Sequence, residues 1–318
     1  MPFDLNTQDL KAYQGRNPKP GDYDAYWERA LSELDGTPPQ AELSPASFSC
    51  PGVECFDLWF TGVGGAKIHA RYVRPAGATG PLPGILNFHG YSSAASEWYR
   101  LLAFAQAGFA IASMDCRGQG GLSEENGIVK GTTLRGHIIR GIDDHPDKLT
   151  FRNVFLDTAQ FARVLSNFDE VDANRMGCYG SSQGGGLSIV CAALHPAIKR
   201  SAPIYPFLCD YKRVYEMGLA REAYLELHEY FRRHDPTHER EDEFFTKLGY
   251  IDVQHLAPRV KAQVLMQTNL SDTVTPPSTQ FAAYNRITTK KEVIFYPEYG
   301  HEEAPGQIDR VISFMLGL

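Results

Sequence analysis

The sequence has little of what marks membrane, nucleic-acid-binding or disulfide-rich proteins. Its 318 residues carry a net charge of −7 and no basic stripe, which argues against nucleic acid or an anionic membrane as a partner. No stretch approaches the roughly 20 apolar residues of a membrane span, and residues 1–6 lack the basic and apolar parts of a secretory signal. The six cysteines are scattered without C-x-x-C spacing, which is typical of a reducing compartment. We therefore predict a cytoplasmic protein.

Metal and phosphate motifs are also missing. His228, Glu229, His234 and His238 are close in sequence, but the second histidine follows the first by six residues instead of the four of H-E-x-x-H, and solvated helix faces explain them better. The glycines at 62–65 lack the Lys-Ser or Lys-Thr of a phosphate loop and indicate a hairpin turn. We predict neither a metal nor a cofactor.

Apolar runs and amphipathic stretches alternate along the chain. The predicted strands are 55–60, 67–73, 85–88, 110–115, 176–179, 202–207, 262–268 and 292–296, and the predicted helices are 23–34, 98–107, 154–167, 184–193, 279–286 and 308–316. Such alternation predicts an α/β fold with a doubly wound, mostly parallel sheet. With 43% apolar residues the chain has enough material for one large core, so we predict a single domain over 1–318.

One long segment, about 208–260, interrupts this alternation without a strand signal. It is rich in charge, tyrosine and helix formers, with apolar residues at helical spacing (Leu219, Tyr224, Leu227, Phe231). It falls between two strands on the side where the site is expected. We predict a helical insertion that serves as a cap over the pocket or as an oligomer contact surface.

The strongest chemical signal is Ser182 in the sequence Gly180-Ser181-Ser182-Gln183-Gly184. The motif follows an apolar strand and precedes a buried helix, which is the order that lifts a serine hydroxyl clear of a sheet. Glycines flank the serine because a Cβ would clash in so tight a turn. We predict that Ser182 is a nucleophile, although loops and helix caps often match this pattern by chance.

The matching acid and base are expected downstream, in the order nucleophile, acid, histidine. Asp272 and His301 each follow a predicted strand, at the sheet edge where Ser182 emerges. Taken singly, Asp272 could bond its own loop and His301 could be a surface residue. The conjunction of all three favours a triad in which His301 is the base and Asp272 orients it. Asp210 is the first alternative carboxylate.

Two backbone amides are needed to stabilise the negative charge of the reaction. Gln183 follows the nucleophile at a helix N-terminus and supplies one by position. Tyr91 lies in the loop after strand 85–88, in His89-Gly90-Tyr91, and is the expected second donor. We interpret His89 as a residue that orients this loop.

Four motifs together resemble carbohydrate esterase family seven, the acetyl xylan esterases and cephalosporin-C deacetylases of the α/β-hydrolase superfamily. They are Asp115-Cys116-Arg117-Gly118-Gln119-Gly120-Gly121, Gly180-Ser181-Ser182-Gln183-Gly184-Gly185-Gly186, the segment from Asp272 to Asn285, and Gly300-His301-Glu302. The resemblance covers essentially the whole chain. It assigns Ser182, Asp272 and His301 as the triad and Tyr91 and Gln183 as oxyanion donors, and it suggests that Arg117 and Gln119 brace a loop.

The resemblance implies a cytoplasmic, metal-free serine esterase that removes acetyl groups from short xylo-oligosaccharides and from cephalosporin C. It also implies a homohexamer. Other hypotheses remain: an acyl-peptidase of the prolyl oligopeptidase type, a broader short-chain carboxylesterase, or a non-catalytic binding protein on the same scaffold. The acyl-peptidase would normally need a propeller domain, and no propeller-sized repeat region is visible.

Overall fold

The computed structural model describes residues 3–130 and 136–318. Its strands are β1 (Glu42–Pro45), β2 (Val53–Thr61), β3 (Lys67–Pro75), β4 (Leu82–Phe88), β5 (Ala110–Met114), β6 (Val171–Ser181), β7 (Ile198–Ile204), β8 (Gln263–Asn269) and β9 (Lys291–Tyr296). Its helices are α1 (Thr7–Ala12), α2 (Tyr23–Asp35), α3 (Trp98–Gln106), α4 (Thr150–Ser166), α5 (Gln183–Leu194), α6 (Tyr211–Glu216), α7 (Leu225–His234), α8 (Glu241–Leu248), α9 (Val253–Leu256), α10 (Pro277–Tyr284) and α11 (Gln307–Met315).

These strands form one sheet in the order β1-β2-β3-β5-β4-β6-β7-β8-β9. Strands β5, β4, β6, β7, β8 and β9 run parallel to one another, while β1, β2 and β3 add an antiparallel edge. The turn at residues 62–65 joins β2 to β3 as predicted. The predicted α/β fold with a mostly parallel sheet is confirmed.

Both faces of the sheet are covered, which explains why its central strands are rich in apolar residues. On β4, Ile85 packs into the cluster that includes α3 and α11, whereas Leu86 and Phe88 pack into the larger cluster that includes α4 and α5. Successive side chains of a strand point to opposite faces, so a strand buried on both sides is apolar at adjacent positions instead of alternating with polar residues. Each such side chain contributes about 1.5–3 kcal/mol on burial.

Sequence patterns missed two elements and misplaced some boundaries. Helix α1 has a single buried residue, and strand β1 is exposed at every position, so neither carries an apolar period. Helix α4 starts four residues before its predicted start at 154. The predicted end of β7 at residue 207 is wrong: the strand ends at Ile204, and Tyr205, Leu208 and Asp210 then adopt positive φ angles as the chain turns away.

The segment 208–260 contains α6, α7, α8 and α9 and, within this fully described range, no strand. The apolar residues at helical spacing in this segment face the core. Tyr224, Leu227 and Phe231 are buried in the larger cluster, and Leu219 packs against it. We call this segment the helical insertion. Its role as a cap or as an oligomer contact stays a prediction, as does the single domain.

Among residues 3–130 and 136–318, no helix combines the length and apolar character needed to cross a membrane. All six cysteines are free thiols. Cys50 is partly exposed and the other five are buried.

Candidate active site

Ser182 lies at a sharp turn between β6 and α5, and its backbone is strained. Its φ and ψ are 57° and −119°, a conformation that L-residues rarely adopt and that marks functional sites. A Cβ on Gly184 would approach the Phe88 carbonyl oxygen within 1.9 Å, and one on Gly180 within 2.5 Å. Both glycines are therefore required for the turn to pack against β4, as the motif predicted.

The three residues predicted as a triad form a continuous chain of hydrogen bonds. His301 Nε2 lies 3.0 Å from Ser182 Oγ, and His301 Nδ1 lies 2.8 Å from Asp272 Oδ2. The Asp272 side chain is fully buried, while a quarter of the His301 side chain is exposed. The imidazole thus bridges a shielded carboxylate and a serine hydroxyl that substrate can reach.

Asp272 fills both roles considered for it. Its Oδ1 accepts the backbone amides of Val274 (2.8 Å) and Thr275 (2.9 Å), the local turn that a loop aspartate commonly makes. Its Oδ2 accepts from His301 and from the Thr275 hydroxyl at 2.7 Å. The turn therefore fixes the carboxylate so that its second oxygen faces the imidazole.

The loop that carries His301 is held by side chains that sequence patterns did not single out. Asn269, the last residue of β8, donates through Nδ2 to the carbonyls of Gly300 and Glu302, both at 2.8 Å. Gln307 Nε2 in turn donates to Asn269 Oδ1 at 3.2 Å. Only its place at the carboxyl end of a strand could have drawn attention to Asn269.

We expect Asn269→Ala to lower kcat about 10- to 100-fold while KM changes little. The substitution frees the carbonyls on both sides of His301, and a small displacement of the base is costly for catalysis. Steady-state kinetics on an acetyl ester, with the melting temperature as a check on folding, measures this. A wild-type kcat in a folded Asn269→Ala protein would show that the loop holds itself in place.

The two amides predicted as oxyanion donors, those of Tyr91 and Gln183, belong to neighbouring segments. Phe88 at the end of β4 pairs with Gly180 of β6, which brings the loop containing Tyr91 next to the turn containing Gln183. Among the described residues, neither the Tyr91 nor the Gln183 amide donates to a protein acceptor. Both amides are therefore available to a ligand.

His89 orients this loop. Its Nδ1 lies 2.7 Å from the Gly90 carbonyl and its Nε2 accepts the Cys116 amide at 2.9 Å, so Nδ1 carries the proton. Burial lowers the pKa of His89, which favours this neutral form. The side chain ties the loop after β4 to the loop after β5.

Gln119 and Arg117 both lie in the loop after β5, and each holds a neighbouring segment in place. Gln119 donates to the Gln183 side-chain oxygen at 2.8 Å and accepts the Ser92 amide at 2.9 Å, so it spans the two oxyanion segments. Arg117 forms a buried ion pair with Asp157 of α4, with Nε to Oδ2 at 2.6 Å and Nη2 to Oδ1 at 2.7 Å. Removing one partner of such a buried pair typically costs about 3–5 kcal/mol.

Glu226, on α7 of the helical insertion, reaches the oxyanion loop. Its carboxylate accepts the Tyr91 hydroxyl at 3.2 Å and the amides of Ile138 and Ile139 at 3.0 and 3.2 Å. The Tyr91 hydroxyl accepts the His137 amide at 2.7 Å. The insertion therefore fixes Tyr91 through a side chain that no sequence motif singled out.

Burial raises the pKa of Glu226 to about 7, despite the three donors that bind it. The folded protein therefore holds a proton on Glu226 at pH values where the unfolded chain has lost it. Its contribution to the free energy of unfolding is complete below the unfolded pKa, near 4.5, and is lost as the pH rises towards 7.

We expect urea unfolding at pH 5, 6, 7 and 8 to show wild type losing stability relative to Glu226→Gln, by a few kcal/mol across the series. The buried Asp252, whose pKa is also raised to about 7, is present in both proteins and cancels. Parallel pH curves for the two proteins would contradict the titration of Glu226.

Asp210 lies elsewhere and does not orient His301. Its carboxylate accepts the Tyr13 hydroxyl at 2.7 Å and the amides of Arg16 and Asn17 at 3.0 and 2.8 Å. Burial raises its pKa. Asp210 thus anchors the N-terminal segment to the helical insertion.

No metal centre emerges from the histidine-rich stretch of the insertion. Within residues 3–130 and 136–318, no three His, Cys, Asp or Glu side chains are grouped so that they could hold a metal ion. His238 pairs with Glu241 at 2.8 Å, and Glu229 pairs with Arg233 at 3.4 Å.

A strand, a strained serine turn and a helix, with an acid and a histidine after later strands, define an α/β-hydrolase. The family described as Acetyl xylan esterase (AXE1) matches residues 1–318. The chain belongs to this acetyl xylan esterase family, a family of carboxylic-ester hydrolases, which confirms the resemblance found in the sequence.

Two solved structures and one curated relative agree with this assignment. Acetyl xylan esterase 1 from Thermoanaerobacterium sp. JW/SL YS485 is 52% identical, with a TM-score of 0.97 over 99% of both chains. An acetyl xylan esterase from Paenibacillus sp. R4 is 34% identical, with a TM-score of 0.94 over 98% of this chain and 99% of the other. Acetyl esterase Axe7A of Xylanibacter ruminicola is 26% identical over 92% of this chain, which spans 65% of that relative's length.

Proposed function

We propose that the protein is a serine esterase that removes acetyl groups from short xylo-oligosaccharides through an acetyl-enzyme intermediate. The observation that carries the proposal is the hydrogen-bond chain from Ser182 Oγ through His301 to Asp272. Membership of the acetyl xylan esterase family supports the choice of acetyl esters.

In the first half of the reaction, His301 Nε2 accepts the Ser182 proton while Oγ attacks the acetyl carbonyl carbon. The carbonyl oxygen becomes negatively charged, and the amides of Tyr91 and Gln183 donate hydrogen bonds to it. Asp272 accepts a hydrogen bond from the Nδ1–H of the imidazole and stabilises the positive charge that forms there. The buried position of Asp272 strengthens this interaction.

In the second half, the imidazolium gives its proton to the sugar oxygen, the carbon–oxygen bond of the ester breaks, and the sugar leaves with its hydroxyl restored. Ser182 then carries the acetyl group. A water molecule loses a proton to His301 and attacks the acetyl carbon. His301 then returns that proton to Ser182 Oγ as the bond between Oγ and the acetyl carbon breaks, which releases acetate and regenerates the serine. No step requires a metal or a cofactor.

The preference for a short acyl group is supported by the packing around Tyr91. Its ring contacts Phe207, with centroids 5.5 Å apart, and its hydroxyl is held by Glu226. A fixed bulky side chain beside the oxyanion donors leaves little freedom for a long acyl chain. Deacetylation of cephalosporin C, a cytoplasmic location and assembly into a homohexamer are further parts of the proposal. Light scattering of the purified protein tests the assembly.

Initial rates on p-nitrophenyl acetate, butyrate and octanoate and on an aminoacyl-nitroanilide test the proposed activity. We expect turnover of the acetate, with rates that fall sharply as the acyl chain lengthens. Release of acetate from acetylated xylo-oligosaccharides and from cephalosporin C then tests the natural class of substrate. Activity on the anilide alone would favour an acyl-peptidase, similar rates on all esters a broader carboxylesterase, and no activity a binding scaffold.

A further inference from the structure

A turn at the end of β7 packs against the nucleophile. The Ser182 amide donates to the Ile204 carbonyl, and the Phe207 amide donates to the Ser182 carbonyl, both at 2.9 Å. Between these two anchor points lies Tyr205, whose amide donates to the Gln267 carbonyl of the neighbouring strand β8 at 2.7 Å. The backbone around Tyr205 is therefore held on two sides, by the serine turn and by β8.

Tyr205 has an unusual backbone conformation. Its φ of 31° lies in the left-handed region, which residues with bulky side chains rarely adopt. Its side chain is nevertheless buried, with 6% of the residue exposed. Strained residues persist only where the surrounding structure fixes them, and they cluster at functional sites. The strain directs attention to what the side chain of Tyr205 contacts.

The ring of Tyr205 lies beside the imidazole of His301. The ring centroids are 5.1 Å apart and the ring planes are tilted by 59°, a favourable arrangement for two aromatic rings. The imidazole is also hydrogen-bonded to Asp272 through Nδ1 and to Ser182 through Nε2. These two bonds lie at opposite sides of the imidazole and leave it free to rock about the line between them. A ring packed beside the imidazole restrains this rocking.

The same contact favours the charge that develops in the reaction. His301 becomes an imidazolium when it takes the Ser182 proton, and a cation within about 6 Å of an aromatic ring centre is attracted by the ring. An interaction that is stronger in the transition state than in the resting enzyme raises kcat. Burial raises the pKa of Tyr205, so the phenol stays protonated and does not compete with His301 as a base.

We propose that Tyr205 is a positioning residue of the esterase. Its ring holds the His301 imidazole in line with Ser182 and stabilises the charged imidazole during the reaction. No sequence motif singled out this residue. The inference rests on the proposed roles of Ser182, His301 and Asp272 and adds the contact that keeps the base in place.

The test separates the ring of Tyr205 from its hydroxyl and from its bulk, with p-nitrophenyl acetate as the substrate. Tyr205→Phe keeps the ring and should leave kcat and KM within about twofold of wild type, whereas Tyr205→Leu should lower kcat about tenfold with KM within about twofold. Tyr205→Met removes the ring with a more adaptable side chain and should match Tyr205→Leu; it replaces that variant if leucine prevents folding. Tyr284→Leu is the control, because it removes a similarly buried ring, 8% exposed, that packs against Phe281. It should lower the melting temperature about as much as Tyr205→Leu does and keep the wild-type kcat.

A double-mutant cycle distinguishes positioning of His301 from general loosening of the site. Tyr205→Leu should change the residual rate of His301→Ala by no more than about twofold, because residues that act through one another are not additive. A further loss of about tenfold in that background would overturn the inference. So would a Tyr205→Phe protein as slow as Tyr205→Leu, a wild-type kcat in the folded leucine or methionine variant, or an equal loss of kcat in Tyr284→Leu. A wild-type rate in His301→Ala would instead refute the esterase mechanism on which the inference rests.

Discussion

Ser182→Ala is expected to lower kcat for p-nitrophenyl acetate by about 10⁴-fold or more, which corresponds to at least about 5.5 kcal/mol of transition-state stabilisation. Alanine lacks the hydroxyl that attacks the carbonyl carbon. The imidazole of His301, whose Nε2 lies 3.0 Å from Ser182 Oγ in the wild-type protein, cannot serve as the nucleophile in its place. The fold should survive, because the substitution removes one atom and leaves the strained backbone of the turn as it is. The free energy of unfolding should therefore change by no more than about 1 kcal/mol.

The double variant Ser182→Ala/His301→Ala gives the sharper result. Residues that act as a unit are strongly non-additive, so the double variant should be no slower than Ser182→Ala alone. Ser313→Ala, on the exposed surface of α11, is the matched control and should have the wild-type rate. If Ser182→Ala retains more than about a tenth of wild-type activity, the nucleophile is another residue.

Asp272→Asn should leave the protein folded and lower kcat by about 10⁴-fold. The asparagine oxygen can still accept the amides of Val274 and Thr275, so the local turn is kept. Its amide nitrogen, however, would face His301 Nδ1 and favour the tautomer with the proton on Nε2. That tautomer cannot accept a proton from Ser182, so the base is lost without a change in position.

Asp210→Asn is the matched comparison for Asp272→Asn, because both aspartates are buried and both accept backbone amides. Asp210 binds Tyr13 and Asn17 instead of a histidine. Its replacement should lower the melting temperature and leave kcat of the folded protein near the wild-type value. Measured together, the two variants separate a catalytic carboxylate from a structural one, and the opposite pattern would refute the assignment of Asp272.

Predictions from the sequence succeeded where a function depends on local geometry. The serine turn is specified by Gly180 and Gly184, since no other residue fits against the Phe88 carbonyl. The alternation of apolar strands and amphipathic helices predicted the parallel sheet, and parallel strands bring their carboxyl ends to one edge. Chain order alone then indicated that Asp272 and His301 follow strands at that edge.

No such pattern predicts contacts between segments that are far apart along the chain. Glu226 and Tyr91 are 135 positions apart and Asn269 and Gly300 are 31 apart. No rule of sequence spacing predicts either contact, because the packing of whole helices and strands determines the path of the chain between the partners. Strand β1 was missed for a related reason: it is an exposed edge strand, and its pairing with β2 leaves no apolar alternation to detect.

The sequence by itself determined the fold class, the family and the identity of the serine, acid and base, because these depend on local turns and on the order of elements along the chain. The tertiary structure alone decided how the triad is supported and which carboxylate fixes Tyr91. Those features are distances between side chains from separate elements, and such distances exist only once the sheet and its helices have packed together.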